Sequence, residues 1–342
     1  CMLLPSSSMA AISRPLARPK TRWLLRCMSS KKPFWPRVSP HFLACRRGVR
    51  AASLNRTVAV GLSGGADSLA LLAALVAEGH DVLALCVDHR LQEGSRAQAE
   101  RAAEQARELG ARARVLSVEA GGAGPESMEA AARVARYRAL AAASAAEELE
   151  VAVAHTADDQ AETLLLGALR GRVTGMSERS EVEGARVVRP LLGVRRADTE
   201  GTCAELGLSV WQDPQNADTN FRRVALRREV IPQLSRIIGG DAVPALAQAA
   251  TDAALDDAAL YTPPTTDCAE LAAMAEPRRR RAIAAWLVSE GVEVTRRGVG
   301  DVAKLCTHWH GQGPVAVRSA RQVGQRLEVA RIGGKLALLS GH

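Results

Sequence analysis

The chain is 342 residues long, 47% hydrophobic and only 3% aromatic, with a formal net charge of +8. That length suits about two domains, and no apolar run approaches the roughly 18 residues of a membrane span. The charge is lopsided: residues 1–56 hold twelve Lys and Arg and no acid, which leaves 33 basic against 37 acidic residues from Thr57 onward. The body is therefore slightly acidic, and any nucleic-acid contact falls to local arginine patches rather than a global field.

Residues 1–56 are rich in Arg, Ser and Pro and show no steady periodicity. We expect a disordered or artefactual basic extension, such as an upstream stretch ahead of a start at Met9 or Met28. A transit peptide and a basic nucleic-acid arm are the alternatives.

From Thr57 the chain alternates between apolar runs and helical periodicity. Strands are expected at Thr57–Leu62, Asp81–Val87, Ala113–Val118 and Val151–Ala154. Helices are expected at Ser68–Glu78, Arg96–Leu109 and Ser127–Glu148. Such alternation predicts an α/β fold, a parallel sheet with helices on both faces, in which ligands bind beyond the carboxyl ends of the strands. The chemistry-bearing residues fall at those ends.

After the first strand comes Ser63-Gly64-Gly65-Ala66-Asp67-Ser68, running straight into a helix. Glycines permit a sharp turn and close backbone approach, and the helix start presents N–H groups along the favourable end of its dipole. The serines add hydroxyl donors. This is a phosphate cradle without the lysine of the common G-x-x-x-x-G-K-[ST] loop. An aspartate beside phosphate is repulsive unless a cation bridges them, so Asp67 implies magnesium. Asp88-His89 ends the second strand as a polar exit. His155-Thr156-Ala157-Asp158-Asp159-Gln160-Ala161-Glu162-Thr163 follows the fourth. Asp159 and Glu162 have capping-box spacing, whereas the adjacent Asp158 and Asp159 suit shared metal coordination.

The S-G-G-x-D-S loop resembles that of the pyrophosphate-loop family, which cleaves ATP between the α and β phosphates. Paired with H-x-x-D-D-Q-A-E-T, it closely resembles the tRNA(Ile)-lysidine synthase branch. Further matches run in order: Arg133 to Tyr137 in an A-R-x-x-R-Y helix, Arg189-Pro190-Leu191-Leu192, Asp213-Pro214-Gln215-Asn216, and Arg223 with Arg227 before Pro232. Two departures stand out. The segment Arg170–Met176 is shorter than the usual R-G-S-G loop, and Val224 replaces an asparagine.

The resemblance implies an adenine nucleotide alpha hydrolase-like fold over residues 57–238. It implies ATP as substrate, bound by Ser63, Gly64, Gly65, Ala66, Asp67, Ser68, Asp88, His89 and His155, and Mg2+ held by the catalytic Asp67, Asp158 and Asp159. Arg133, Arg223 and Arg227 would meet tRNA or lysine; for Arg133 an ion pair with Glu129 is the alternative. The partners it implies are tRNA(Ile) with a CAU anticodon and free L-lysine, with a homodimer as a compatible assembly. A tRNA 2-thiolase and a degenerate nucleotide-binding protein are the rivals. The seven cysteines form no C-x-x-C pair, which counts against a thiolase and points to a reducing, cytoplasmic compartment.

Residues 239–342 are expected as a smaller helical and α+β domain that docks tRNA. Ala-rich helix follows Gly239-Gly240, Pro263-Pro264 breaks it, and Arg278–Arg281 with Arg296 and Arg297 form a basic helical stretch. A solvated charged helix face is the plainer reading of those arginines. Strand-like runs at Val315–Arg318 and Arg326–Val329 with a Gly333-Gly334 turn close the chain.

Overall fold

The computed structural model describes residues 35–36, 38–88, 90, 94–118, 125–213, 218–320 and 326–340. The elements in order are α1 (Pro40–Ala51), β1 (Thr57–Gly61), α2 (Ala66–Ala77), β2 (Asp81–Asp88), α3 (Ser95–Glu108), β3 (Arg112–Ser117), α4 (Pro125–Ala145), β4 (Val151–Ala152), α5 (Ala157–Ala168), β5 (Arg179–Val182), β6 (Ala185–Val188) and α6 (Arg196–Leu206). Then come α7 (Arg222–Ala225), a π-turn at Leu226–Val230, α8 (Ile231–Ile238), α9 (Val243–Ala259), α10 (Cys268–Ala273), α11 (Glu276–Ser289), α12 (Arg296–Thr307), β7 (Val315–Arg318), β8 (Arg326–Ile332) and β9 (Lys335–Ser340).

The expected strands and helices of the catalytic body form close to where periodicity placed them. The sheet order is β3-β2-β1-β4-β6-β5, parallel except for the edge strand β5. Alternation along the strands divides the core. Ala59, Leu83, Leu85 and Val151 pack under Tyr137 and Leu140 of α4, while Val58, Val60, Val82 and Ala84 are buried on the other face. The antiparallel β5–β6 hairpin was not expected. Its strands are four residues each, and its turn, Glu183-Gly184, puts both residues at positive φ (48° and 82°), the geometry of a tight two-residue hairpin.

Residues 40–51 correct the expectation of a disordered extension through residue 56. Helix α1 buries Phe42, Cys45 and Val49 against α6 and α2. The Phe42 N–H donates to Glu205 Oε2 at 3.0 Å, and Arg46 and Arg50 both pair with Glu78. A Cβ at Gly48 would lie 2.6 Å from the Pro190 carbonyl, so the helix is seated directly on the Arg189–Leu192 turn. Two of the arginines counted into the basic extension thus pair with an acid of the folded body. Residues 1–34 lie outside the described residues.

At the other end the packing moves the domain boundary. Helix α9, beyond the expected break at residue 239, buries Val243 and Ala247 against Ala157 and Ala161 of α5 and Ile231. A separate core begins at Cys268. It joins Leu271, Ile283, Trp286, Val302 and Leu305 to Val317, Val329 and Leu336 of the antiparallel sheet β7-β8-β9. The α+β appendage is therefore confined to residues after the Pro263-Pro264 break.

Phe42 is 1% exposed, so Phe42→Ala should cost about 3–5 kcal/mol in chemical denaturation. A loss under about 1 kcal/mol, the size of an ordinary surface change, would mean that α1 is not part of the cooperative fold.

Candidate functional site

Strand β1 lies between β2 and β4, and the chain leaves it first to one side and later to the other. This is the topological switch point, where crevices open in parallel sheets. The loop after β1 and the turn after β4 flank it.

The loop Ser63–Ser68 is braced from within. Ser68 Oγ donates to the Gly65 carbonyl at 2.9 Å and lies 3.2 Å from Ser63 Oγ. Gly64 has φ +84°, and a Cβ there would sit 2.7 Å from Gln98 Nε2, so conformation and space both demand glycine. Its carbonyl accepts the Trp211 N–H at 2.9 Å, tying the loop to the segment that leads into Asp213. Gly65 is the N-cap of α2, which leaves the first N–H groups of the helix pointing out of the loop.

Asp67, Asp158, Asp159 and Glu162 converge, and arginines converge with them. Arg196 Nη2 donates to Asp159 Oδ1 at 2.7 Å and Nη1 to Glu162 Oε1 at 3.2 Å, while Nε lies 3.5 Å from Asp67 Oδ2. Arg195 pairs with Asp158 at 3.0 Å and also with Asp241. The Arg196 backbone N–H donates to Asp158 Oδ2 at 2.8 Å. Thr199, one turn along α6, donates its hydroxyl to Asp67 Oδ1. Arg223 and Arg227 share a face, as their spacing predicts, and both address Glu162: Arg227 Nε at 2.8 Å and Arg223 Nη1 at 3.5 Å. Burial pushes the Asp67 carboxyl up, against the opposing pull of Arg196 and Thr199. Burial also acts to raise Asp158 and Asp159, but Arg195 and Arg196 outweigh it and hold both below the usual carboxylate range. Arg196 is held firmly charged: its burial is overcome by Asp159, Asp67, Glu162 and Asp158.

Asp159 also closes the helix cap, at the expected spacing but one turn earlier than expected, as the N3 residue rather than the N-cap. Its Oδ2 accepts both the Thr156 N–H at 2.8 Å and the Thr156 hydroxyl at 2.9 Å, so the box is Thr156–Asp159 rather than Asp159–Glu162. Asp88 turns inward: its Oδ1 accepts from Ser95 Oγ at 2.6 Å and from the Arg90 N–H at 3.0 Å, and these bonds depress its carboxyl despite burial. Its first duty is to the turn after β2. His89, residues 214–216 and the Glu129 side chain lie outside the described residues. Arg133 stacks over Tyr137, its Cζ 5.0 Å from the ring centroid.

The short Arg170–Met176 segment is pinned to α5. Buried Gln160 brackets Met176, donating to its carbonyl at 2.9 Å and accepting its N–H at 2.8 Å. Arg196 was not anticipated from sequence. The available signal was two arginines opening a helix, where cations oppose the dipole and therefore need anionic partners.

Magnesium fits this arrangement poorly as a resident ion. The oxygens of Asp158 and Asp159 already accept N–H and O–H donors, and among the described residues no group of three or more His, Cys, Asp or Glu is disposed to hold a metal.

His155 has its Nδ1 buried without a partner. Burial, aided by Arg189, Arg133 and Arg136 and opposed by Asp159, lowers it from 6.5 to about 3. Between those values the unfolded chain binds the proton and the folded chain does not, so stability falls as pH drops below 6.5. His155→Gln should reduce the loss of stability between pH 7 and 5.5 by about 1 kcal/mol, read from urea midpoints. An unchanged loss would show that His155 is not held neutral.

A PP-loop domain model matches residues 45–234, and a TilS substrate binding domain model matches residues 267–328. The tRNA(Ile)-lysidine synthase of Corynebacterium glutamicum is 49% identical over 311 residues, spanning 89% of this chain and 96% of its own length. That of Corynebacterium diphtheriae is 52% identical over 306 residues, spanning 89% and 99%. Among solved structures, the U34-tRNA thiolase NcsA from Methanococcus maripaludis, determined with its 4Fe-4S cluster, matches with a TM-score of 0.50 at 18% identity, over 61% of this chain and 79% of that one. That likeness is one of fold. Two domain models in the order that the two cores occupy, and about half of all residues identical across nearly the whole of each relative, establish that the chain belongs to the tRNA(Ile)-lysidine synthase family.

Proposed function

We propose that the protein joins lysine to the wobble cytidine of tRNA(Ile) bearing a CAU anticodon, consuming ATP and giving lysidine, AMP and diphosphate. In the first step the cytidine C2 oxygen attacks the α-phosphorus and diphosphate leaves. In the second the neutral ε-amine of free lysine attacks C2, and AMP departs with the former C2 oxygen. The product reads AUA in place of AUG. The observation that carries this reading is the pairing of a lysine-free S-G-G-x-D-S loop with H-x-x-D-D-Q-A-E-T across one switch point, in a chain about half identical to lysidine synthases.

The chain's own groups have separable tasks. Ser63, Gly64, Gly65, Ala66 and Ser68 hold the diphosphate portion through backbone N–H groups and hydroxyls, positioned for charge that develops on the leaving group. His155, neutral and uncharged at working pH, lines the nucleotide side without repelling or attracting phosphate. Asp88 braces the turn after β2 on the adenosine side. Arg133 faces RNA phosphate, and Arg223 and Arg227 are shared between Glu162 and an incoming anion. Magnesium comes with ATP as the counter-ion of its phosphates, with Asp67 the carboxylate in the loop to receive it; Asp158 and Asp159 act through the arginines instead. The five described cysteines are free and buried, in keeping with a reducing cytoplasm. The residues after Cys268 dock the tRNA body, the arginines of α11 and α12 contacting phosphate.

The test is transfer of radiolabelled lysine to a tRNA(Ile) transcript. It should require ATP and the CAU anticodon. Release of AMP with no lysine on the tRNA would refute the assignment, as would sulfur incorporation in its place. Asp67→Ala should abolish AMP release; a rate near that of the unaltered protein would remove Asp67 from the chemistry.

A further inference from the structure

We propose that Arg196 is the resident cation of the carboxylate cluster, a positioning residue that occupies the centre where a protein-held magnesium would otherwise sit. The proposal rests on the functional reading above only in taking ATP as the ligand.

Three helices meet at this guanidinium. Asp67 comes from the start of α2, Asp159 and Glu162 from the first turns of α5, and Arg196 itself opens α6. Each of its three nitrogens addresses a different acid: Nε Asp67, Nη2 Asp159, Nη1 Glu162. Its backbone N–H takes the fourth acid, Asp158. The side chain is only 15% exposed, and Thr199, fully buried, shares its single hydroxyl proton between Asp67 Oδ1 and the Arg196 carbonyl. Backbone and side chain of one residue thus fix the loop acid relative to the acids of the second motif.

Charge and coordination chemistry both disfavour a metal at this point. Counting Asp241 on Arg195, five acids face Arg195, Arg196, Arg223 and Arg227, so a dication would enter a cluster with one net negative charge and meet guanidinium groups already on the carboxylates. Magnesium demands near-octahedral oxygen ligands, yet both oxygens of Asp158, both of Asp159 and Glu162 Oε1 already accept hydrogen bonds, and Glu162 Oε2 is the buried oxygen left without one. Arg196 presents a planar fork that suits several carboxylates at once, which a lysine's point charge does only in part. Metal therefore reaches the loop only as a passenger on the nucleotide, and the acids of the second motif hold geometry through Arg196.

The probe is manganese, titrated into the full chain without ATP or tRNA, with free Mn2+ followed by its electron paramagnetic resonance signal. The unaltered protein should leave the ion free to about 1 mM. Arg196→Gln should take up one Mn2+ at least about tenfold more tightly, and Arg196→Lys should restore most of the exclusion. Stoichiometric micromolar binding by the unaltered protein overturns the proposal, whatever the variants do. So does a folded Arg196→Gln protein, checked by circular dichroism, that binds no better than the parent. Neither result depends on which nucleoside is adenylated, so the proposal and the functional assignment can fail separately.

Discussion

Strand β1 is hydrogen-bonded on both edges, to β2 and to β4, with all three running the same way. A strand so enclosed can leave only through the end of the sheet. Its neighbour β4 leaves through the same end, because parallel pairing gives it the same direction. Two stretches far apart in sequence, Ser63–Ser68 and His155–Thr163, are therefore delivered to one crevice by backbone pairing alone. The rest of the site is a response to that delivery. The loop requires Gly64 to turn without meeting Gln98, and the acids that arrive with it require cations.

Gathering carboxylates away from water is costly unless each is paired and hydrogen-bonded. The protein meets that cost with α6 and the π-turn segment, whose arginines reach the acids from two directions. The same helix α6 packs on α1, so the N-terminal helix stabilises the element that supplies Arg195 and Arg196. Burial of Phe42 and placement of the charge network are in this way mechanically joined. A surface ion pair would be worth little, but here the Glu162 carboxylate is wholly enclosed and faces three guanidinium groups.

Much of this was legible from residues alone. The 3.6-residue and two-residue periods placed the elements of the catalytic body, because parallel strands covered on both faces are continuous apolar runs. The loop and the acidic motif were legible because their residue types are chemically unusual at strand exits. The edge hairpin was not: β5 alternates Arg, Ser, Glu and Val, and its Glu-Gly turn lacks the Asn-Gly or Asp-Gly signature. Helix α1 is hidden by composition, since its arginines read as part of a tail unless Glu78, far off in sequence, is placed between them. Adjacent Asp158 and Asp159 suggest a metal when the acids are taken without the arginines that tertiary structure brings to them. Arg196 carries no motif of its own, and only its place at the head of α6 distinguishes it from other arginines in an arginine-rich chain.

The segment Arg170–Met176 looked in sequence like a family loop cut short. Gln160 holds Met176 by both backbone groups, and Gly175 lies so close to the Ala250 carbonyl that a Cβ has no room. At the far end Arg296 of α12 donates to the Gly171 carbonyl at 3.3 Å. Between these fixed points Arg172 and Val173 stand exposed. The segment therefore behaves as a tie, anchored at both ends, between the PP-loop body and the appended domain. Extra residues would be taken up as an outward bow at Arg172 and Val173, whereas a single methyl group added at Gly175 would push α9 off α5. Length here is a free variable for evolution, and the anchorage is not.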